Sequence, residues 1–245
     1  MALCPAFAQE FIPAYDRFSG KEPAYIMLED GSKIEGTLDN LSRRKGLIEE
    51  VAIKDASGKK IKLQPAQIKS MYLMPSGFSK FSTNMDVGTK VKKWDAKYID
   101  SEIIKKGYAY FEKAKVFIKD KEEMLLMQLL NPGFNTKIRV FHDPFAAETM
   151  RVGIGGMTMA GGDDKSYYVQ MGDFPAKKLK KKDYDDEIKV MYASCPDLVK
   201  KVAQKYVGRS LPNMYMSLRS SVSNELSTDC PNNQKHKFNY LFQKE

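Results

Sequence analysis

Apolar and polar positions alternate along much of residues 23–75, which is the two-residue period of a β-strand with one buried face. The alternation over residues 33–38 comes directly after an Asp-Gly hairpin signal. The alternation over residues 60–63 is strict. Residues 64–68 predict a single helical turn. Several short strands with turns at close spacing are typical of a small barrel or a strongly bent sheet. We therefore predict a β-rich N-terminal domain over residues 9–80.

A second β-rich region is predicted over residues 81–182. Within it, residues 124–130 form an apolar run that only Gln128 interrupts, and the run ends at an Asn-Pro-Gly turn. Such a run is either a fully buried strand or a buried helical turn, and periodicity does not choose between the two. The glycine-rich stretch 153–162 lacks the amphipathic helix that follows a phosphate-binding loop, so we interpret it as a hairpin.

The apolar spacing changes to three and four residues over residues 183–226, with candidate caps and proline starts, which indicates helices. The pattern as a whole predicts the α+β class. In this prediction, mostly antiparallel β structure, as a small barrel or bent sheets, is followed by a helical C-terminal region (residues 183–245) that packs on it.

One hairpin carries a resemblance to a known fold. Leu28, Gly31, Ile34 and Gly36 follow the hydrophobic and glycine pattern of residues 26–38. This segment resembles the first two strands of Sm-like and other SH3-like small barrels. The resemblance implies a small-barrel fold and, as one alternative function, RNA binding.

The N-terminus has the form of a signal-peptidase site. Residues 6–8 read Ala-Phe-Ala at the end of an uncharged apolar lead, and we expect cleavage there, with residues 1–8 as a signal-peptide remnant. The alternative is a short terminus with a chance Ala-x-Ala tripeptide. Cleavage would remove Cys4 and leave Cys195 and Cys230, an even pair that an oxidising compartment allows to form a disulfide. The alternative is two buried free thiols.

Composition narrows the possible chemistry. The chain has 245 residues, a formal net charge of +9, three Cys, two His and one Trp. No apolar run approaches the roughly 20 residues that a membrane-spanning helix needs. Sites built from several His or several Cys ligands are nearly excluded by counting, and we expect no cofactor.

The candidate site residues are few, and each has a structural alternative. His142 and Asp143 are the one adjacent acid–base pair, although neighbours on a strand point to opposite faces and Asp143 before a proline is typical of a turn. Asp163 and Asp164 are candidate metal ligands, with a loop tip as the alternative.

The densest charge run is a candidate basic patch, consisting of Lys177, Lys178, Lys180, Lys181 and Lys182. It would suit phosphates, lipid headgroups or acidic glycans. The acidic residues at 183–187 lie within a Debye length and reduce its field, so a solvated strand end is the preferred interpretation.

A second resemblance bears on location. Residues 166–169 (Ser-Tyr-Tyr-Val) and 194–198 (Ser-Cys-Pro-Asp-Leu) resemble segments of exported proteins of Gram-negative bacteria, which implies a location and no activity. We therefore expect a non-enzymatic periplasmic or extracellular protein with a binding or interaction role. Its expected partner is another envelope protein or an anionic surface, and neither nucleic acid nor membrane insertion is expected. The alternatives are an enzyme with a site near His142 and a small-barrel RNA-binding protein.

Overall fold

The chain divides into two compact units, residues 9–180 and residues 1–8 together with 181–245. The structure is a computed structural model, and the description that follows concerns the first unit. The described residues are 12–77, 98–119, 121–133, 135–136, 138–146, 152–154, 157–160 and 167–179.

Strands make up most of the described residues. The elements that lie within the described residues are twelve strands, one short α-helix (α1) and one 3-10 turn. The strands are β1 (Pro23–Leu28), β2 (Lys33–Arg44), β3 (Leu47–Lys54), β4 (Lys60–Leu63), β5 (Ile68–Leu73), β6 (Ala109–Ile118), β7 (Lys121–Leu129), β8 (Ile138–His142), β9 (Val152–Ile154), β10 (Met157–Ala160), β11 (Tyr167–Met171) and β12 (Lys177–Leu179). The 3-10 turn is Pro65–Gln67, and α1 is Ser101–Lys105.

Ten of these strands form one sheet in the order β12-β11-β8-β7-β6-β5-β1-β2-β3-β4. Every neighbouring pair in this order is antiparallel. The 3-10 turn brings β5 back beside β1, and the β6–β7 hairpin then continues the sheet from β5. Strands β9 and β10 pair with each other as a separate hairpin.

One edge of the sheet returns to β6. Ala176, just before β12, forms a parallel bridge with Val116 of β6. The backbone N–H of Phe117 donates to the Ala176 carbonyl at 3.0 Å, and the N–H of Ala176 donates to the Lys115 carbonyl at 2.7 Å. Because β6 pairs with β7 along its other edge, strands β6, β7, β8, β11 and β12 close around part of the core.

Strand β2 bends where β3 lies against it. A Cβ atom at Gly36 would lie 2.3 Å from the carbonyl oxygen of Lys54, so only glycine allows this close approach. The pairing of β2 with β3 shifts twice, at residues 38–40 and 42–43, as β-bulges do. These irregularities direct the far end of the β2–β3 hairpin towards the loop that follows β8.

The core lies on both faces of the bent sheet. Large apolar side chains from the two halves of the chain share one buried cluster, and each contributes about 1.5–3 kcal/mol by leaving water. The members with almost no exposed surface include Ile53, Met71, Leu129 and Phe141.

The α+β class prediction is wrong. The described residues are mostly antiparallel β structure, and the helical elements that lie within them are one five-residue α-helix and one 3-10 turn. The two-residue period controls this part of the chain because the strands of its ten-stranded sheet carry buried apolar side chains. The class was inferred from the three- and four-residue spacing at 183–226, and the predicted helical region 183–245 lies outside the described residues.

Two local predictions, the Asp-Gly turn and the glycine-rich hairpin, are confirmed, and one alternative that the sequence left open is decided in favour of a strand. The Asp-Gly dipeptide connects β1 to β2, and Gly31 has a φ of 85°, which favours glycine. The ambiguous run at 124–130 lies mostly in strand β7. Strands β9 and β10 pair as the hairpin expected in the glycine-rich stretch.

Candidate functional site

A cleft of about 500 Å³ opens where the N-terminal segment, the β2–β3 hairpin and the loop after β8 meet over strands β6 and β7. Among the described residues, the apolar lining of the cleft, here called its floor, consists of Ile48, Phe111, Leu126, Met127 and Phe145. The polar lining, here called its rim, consists of Tyr15, Asp16, Arg43, Lys45, Gln128 and His142. Tyr15 and Gln128 are themselves buried, and Lys45 is exposed.

The first wall of the cleft is the segment before β1, which Gln128 of β7 holds in place. The backbone N–H of Tyr15 donates to Oε1 of Gln128 at 2.9 Å, and Nε2 of Gln128 donates to the Pro13 carbonyl at 2.8 Å. The N–H of Ile12 donates to the Leu130 carbonyl at 2.7 Å. The one polar residue of the apolar run at 124–130 therefore satisfies the backbone of a segment over 100 residues away in the chain.

The second wall is the tip of the β2–β3 hairpin. Lys45 and Gly46 have φ values of 50° and 83°, the two positive values that a tight hairpin turn of this kind needs. A Cβ atom at Gly46 would lie 1.5 Å from the carbonyl oxygen of Pro144. Glycine at this position therefore allows the hairpin tip to contact the loop after β8, backbone against backbone.

Arg43 is a cationic residue of β2 close to the hairpin turn. One guanidinium nitrogen, Nη1, donates to the Asp16 carbonyl at 3.1 Å and lies 3.8 Å from the Asp16 carboxylate. The guanidinium carbon lies 5.8 Å from the centre of the Phe18 ring. Burial lowers the pKa of Arg43 from its usual range, and the charge of Asp16 opposes this effect. Nε of Arg43 is buried and has no hydrogen-bond partner among the described residues.

The structure separates His142 from Asp143. His142 lies on the rim of the cleft, and Asp143 is fully buried and does not line it. Asp143 forms an ion pair of 2.6 Å with Lys178 and accepts a hydrogen bond of 2.9 Å from the backbone N–H of Phe145. The strand places the two neighbours in different environments, so they do not form a dyad with each other.

The other predicted site residues do not come together in the described structure. Lys177 and Lys178 lie on β12, both partly buried, and Lys178 is engaged by Asp143. The remaining candidates lie outside the described residues: Lys180, Lys181, Lys182, Asp163, Asp164, Cys195 and Cys230. The disulfide and the metal site therefore stay predictions. Residues 26–38 do form a β1–β2 hairpin, but a hairpin alone does not distinguish a small barrel from other β folds, so the Sm-like resemblance also stays a prediction.

A second polar centre, missed at the sequence level, surrounds Glu112 of β6. Glu112 is 8% exposed, and its carboxylate accepts hydrogen bonds from the hydroxyls of Tyr98 and Tyr110. Oε1 of Glu112 is buried without a hydrogen bond, and Nε of Arg139 lies 4.0 Å from it. Nη1 of Arg139 lies 3.5 Å from Oε1 of Gln170.

Burial dominates the titration of this centre. It raises the pKa of Glu112 to about 7, while the charge of Arg139 and the hydrogen bonds from the two tyrosines act in the opposite direction. Burial also raises the pKa of Tyr110 above its usual range, so Tyr110 stays protonated and remains a donor. The signal available in the sequence was an acidic residue directly after two aromatic residues in a predicted strand, Tyr110-Phe111-Glu112.

The described residues contain no group of three or more His, Cys, Asp or Glu residues placed to hold a metal ion. No helix within the described ranges is long and apolar enough to cross a membrane. Comparison with known proteins gives no relative from which to argue: no protein-family model, curated protein or solved structure matches the chain.

Proposed function

We propose that the protein is a non-enzymatic binding protein and that the cleft between the N-terminal segment and the β2–β3 hairpin is its small-molecule site. The observation that carries this proposal is the composition of the cleft, in which five large apolar side chains and six polar ones line the same space. Its volume of about 500 Å³ lies within the range of small-molecule pockets, roughly 300–1,000 Å³.

Asp143, the acidic neighbour of His142 in the chain, is buried in an ion pair with Lys178 at 2.6 Å, so the two adjacent residues do not form an acid–base pair at the cleft. The rim supplies several hydrogen-bonding groups at fixed positions, which suits the recognition of one part of a ligand.

A neutral fluorescent probe, N-phenylnaphthylamine, tests the cleft. We expect its emission to rise on titration with the protein and to saturate. Ile48→Trp should weaken this binding at least tenfold, because the larger side chain fills the floor of the cleft. Ile61→Trp is the matched control, since Ile61 is also a partly buried residue packed on the core and does not line the cleft. Equal binding by both folded variants, or no saturable binding by the unmodified protein, would refute the proposal.

A periplasmic or extracellular location is part of the same proposal and rests on the Ala-Phe-Ala tripeptide at residues 6–8. N-terminal sequencing of protein produced in a Gram-negative host from the full upstream reading frame should find Gln9 as the first residue, whereas an intact Met1 would contradict export. If Cys195 and Cys230 pair after export, thiol titration of the denatured mature protein should find no free thiol. Two free thiols would rule the disulfide out.

A second candidate function, an enzyme with its site near His142, is favoured by one observation: His142 lines the cleft together with Arg43 and Asp16. If His142 acts as a base there, the protein should hydrolyse a nitrophenyl ester faster than the buffer does, and His142→Gln should remove the excess rate. An unchanged rate in His142→Gln would rule out this catalytic role and leave binding as the remaining candidate function.

A further inference from the structure

The chemistry of the rim specifies the class of ligand. We infer that the cleft binds an amphipathic monocarboxylate, with its carboxylate between Arg43 and Lys45 and its hydrocarbon part on the apolar floor; this inference rests on the proposed function. Three observations carry it. They are the charge balance of the rim, the small number of hydrogen bonds that the Arg43 guanidinium makes, and the adjacency of charged and apolar side chains in the cleft.

The first observation is an excess of positive charge. Among the described residues, two cationic side chains, Arg43 and Lys45, line the cleft, and Asp16 is the only carboxylate that does so. Asp16 forms an ion pair with Arg43, with 3.8 Å between Oδ1 of Asp16 and Nη1 of Arg43. Lys45 is exposed at the hairpin tip and has no ion pair in the part of the chain that the structure describes. One further negative charge would therefore balance the rim.

The second observation concerns how Arg43 is solvated. Its side chain is 24% exposed, and its hydrogen bond among the described residues is from Nη1 to the backbone carbonyl of Asp16. The Asp16 carboxylate, at 3.8 Å, is beyond hydrogen-bond distance, and it is itself 54% exposed to water. A guanidinium that has lost most of its water and gained one neutral acceptor remains under-compensated, which favours an incoming anion. Arginine matches the planar geometry of a carboxylate particularly well.

The third observation is that charge and apolar surface are adjacent. Arg43 and Ile48 are direct partners across the β2–β3 ladder, so their side chains leave the same face of the hairpin side by side. Leu126 and Phe145 line the same cleft and add to its apolar surface. A ligand with one charged end and an apolar body satisfies both regions, whereas a small inorganic anion would leave the floor in contact with water.

Calorimetric titration with three compounds of equal chain length tests the inference. We expect decanoate to bind at least tenfold more tightly than decanol or decylammonium. Arg43→Met should reduce decanoate affinity at least tenfold and leave decanol affinity within about twofold. Arg44→Met is the matched control, because Arg44 is the next residue of β2, is 78% exposed, pairs with Glu49 and does not line the cleft. It should bind decanoate as the unmodified protein does.

The outcomes separate this inference from the proposed function. If decanol or decylammonium binds as tightly as decanoate, the carboxylate inference is wrong and the cleft still binds small molecules. If neither decanoate nor N-phenylnaphthylamine binds, both proposals fail. Should Arg43→Met fail to fold, Lys45→Met serves in its place: this exposed hairpin residue should lower decanoate affinity at least threefold, and an unchanged affinity would overturn the inference. Raising the salt concentration should weaken decanoate binding and leave decanol binding unchanged, because salt screens the charge interaction.

Discussion

Replacing Glu112 by glutamine should change how the stability of the protein depends on pH. Glu112 is a carboxyl group inside the sheet, 8% exposed, with Arg139 at 4.0 Å and the hydroxyls of Tyr98 and Tyr110 as hydrogen-bond donors. Glutamine has nearly the same shape and keeps a carbonyl oxygen that both tyrosines can donate to. The substitution therefore removes the titration and leaves most of the packing intact.

The sign follows from the raised pKa. Burial raises the pKa of Glu112 from 4.5 to about 7, so the folded protein holds this proton more tightly than the unfolded chain does. Below pH 4.5 both states are protonated. Between pH 4.5 and about 7 the unfolded chain has lost the proton and the folded protein keeps it, so the free energy of unfolding falls as pH rises. Above about pH 7 Glu112 is ionised in both states, and its titration no longer changes the free energy of unfolding. At about 1.36 kcal/mol per pH unit, the interval corresponds to about 3 kcal/mol.

Urea denaturation at several pH values between 4 and 8.5 measures this effect. The quantity of interest is the difference in unfolding free energy between Glu112→Gln and the unmodified protein, because the contributions of other titrating groups cancel in it. We expect this difference to move by about 3 kcal/mol in favour of the variant from pH 4.5 to pH 8. Glu123→Gln, an exposed position on β7, is the control and should show no such trend.

A difference that stays constant across this pH range would refute the reasoning, since it would mean that Glu112 titrates alike in the folded and unfolded states. A difference that moved in favour of the unmodified protein at high pH would also refute it. That result would show that Arg139 and the two tyrosines stabilise the ionised carboxylate by more than burial destabilises it.

Three further substitutions test the contacts that build the cleft and the end of β8. Gly46→Ala should lower the free energy of unfolding by more than about 1 kcal/mol, measured by urea denaturation, and weaken N-phenylnaphthylamine binding, because its positive φ and its contact with Pro144 exclude a Cβ atom. Lys178→Met should lower the free energy of unfolding by about 3 kcal/mol, because it removes the cation that pairs with the buried Asp143 carboxylate. Adding Asp143→Asn should recover part of this loss in a double-mutant cycle. Asn131→Ala should cost about 3 kcal/mol in thermal or urea denaturation, because its buried side chain bonds two backbone groups of β8, one at 2.7 Å and one at 2.8 Å.

The sequence was sufficient for the strands and insufficient for the class. The strict alternation at residues 60–63 became β4, and the Asp-Gly dipeptide became the β1–β2 turn, because strand period and turn chemistry are local properties. The α+β assignment was wrong because it weighted helical spacing at 183–226 against a β-rich remainder. The described part of the chain, with strands as long as β2, is antiparallel β structure.

The cleft could not be predicted from the sequence because its rim is assembled from distant segments. Asp16, Arg43, Gln128 and His142 are separated by up to 126 positions, and they meet only after β2 bends and the N-terminal segment crosses β7. His142 was singled out for its chemistry and does line the cleft. Arg43 carried no sequence signal, since it looked like one of many cations in a strand.

The buried acid could have been found from the sequence. Glu112 follows Tyr110 and Phe111 in a strand whose two faces are both buried at this point. A single acidic residue in such a context must be neutralised, paired or hydrogen-bonded, and the structure shows all three influences on it. The partner Arg139 could not have been inferred, because the pairing of β6, β7 and β8 was not specified by local pattern.

Backbone amide mapping by NMR with decanoate tests the central claim most directly. The account predicts that titration shifts the amide signals of the residues around the cleft, in particular Gly46, Ile48, Gln128 and Phe145, and leaves those of edge strand β4 (Lys60–Leu63) unchanged. Arg43→Met should reduce these shifts at the same decanoate concentration. Shifts that cluster away from the cleft, or a spectrum unchanged by decanoate, would contradict the account.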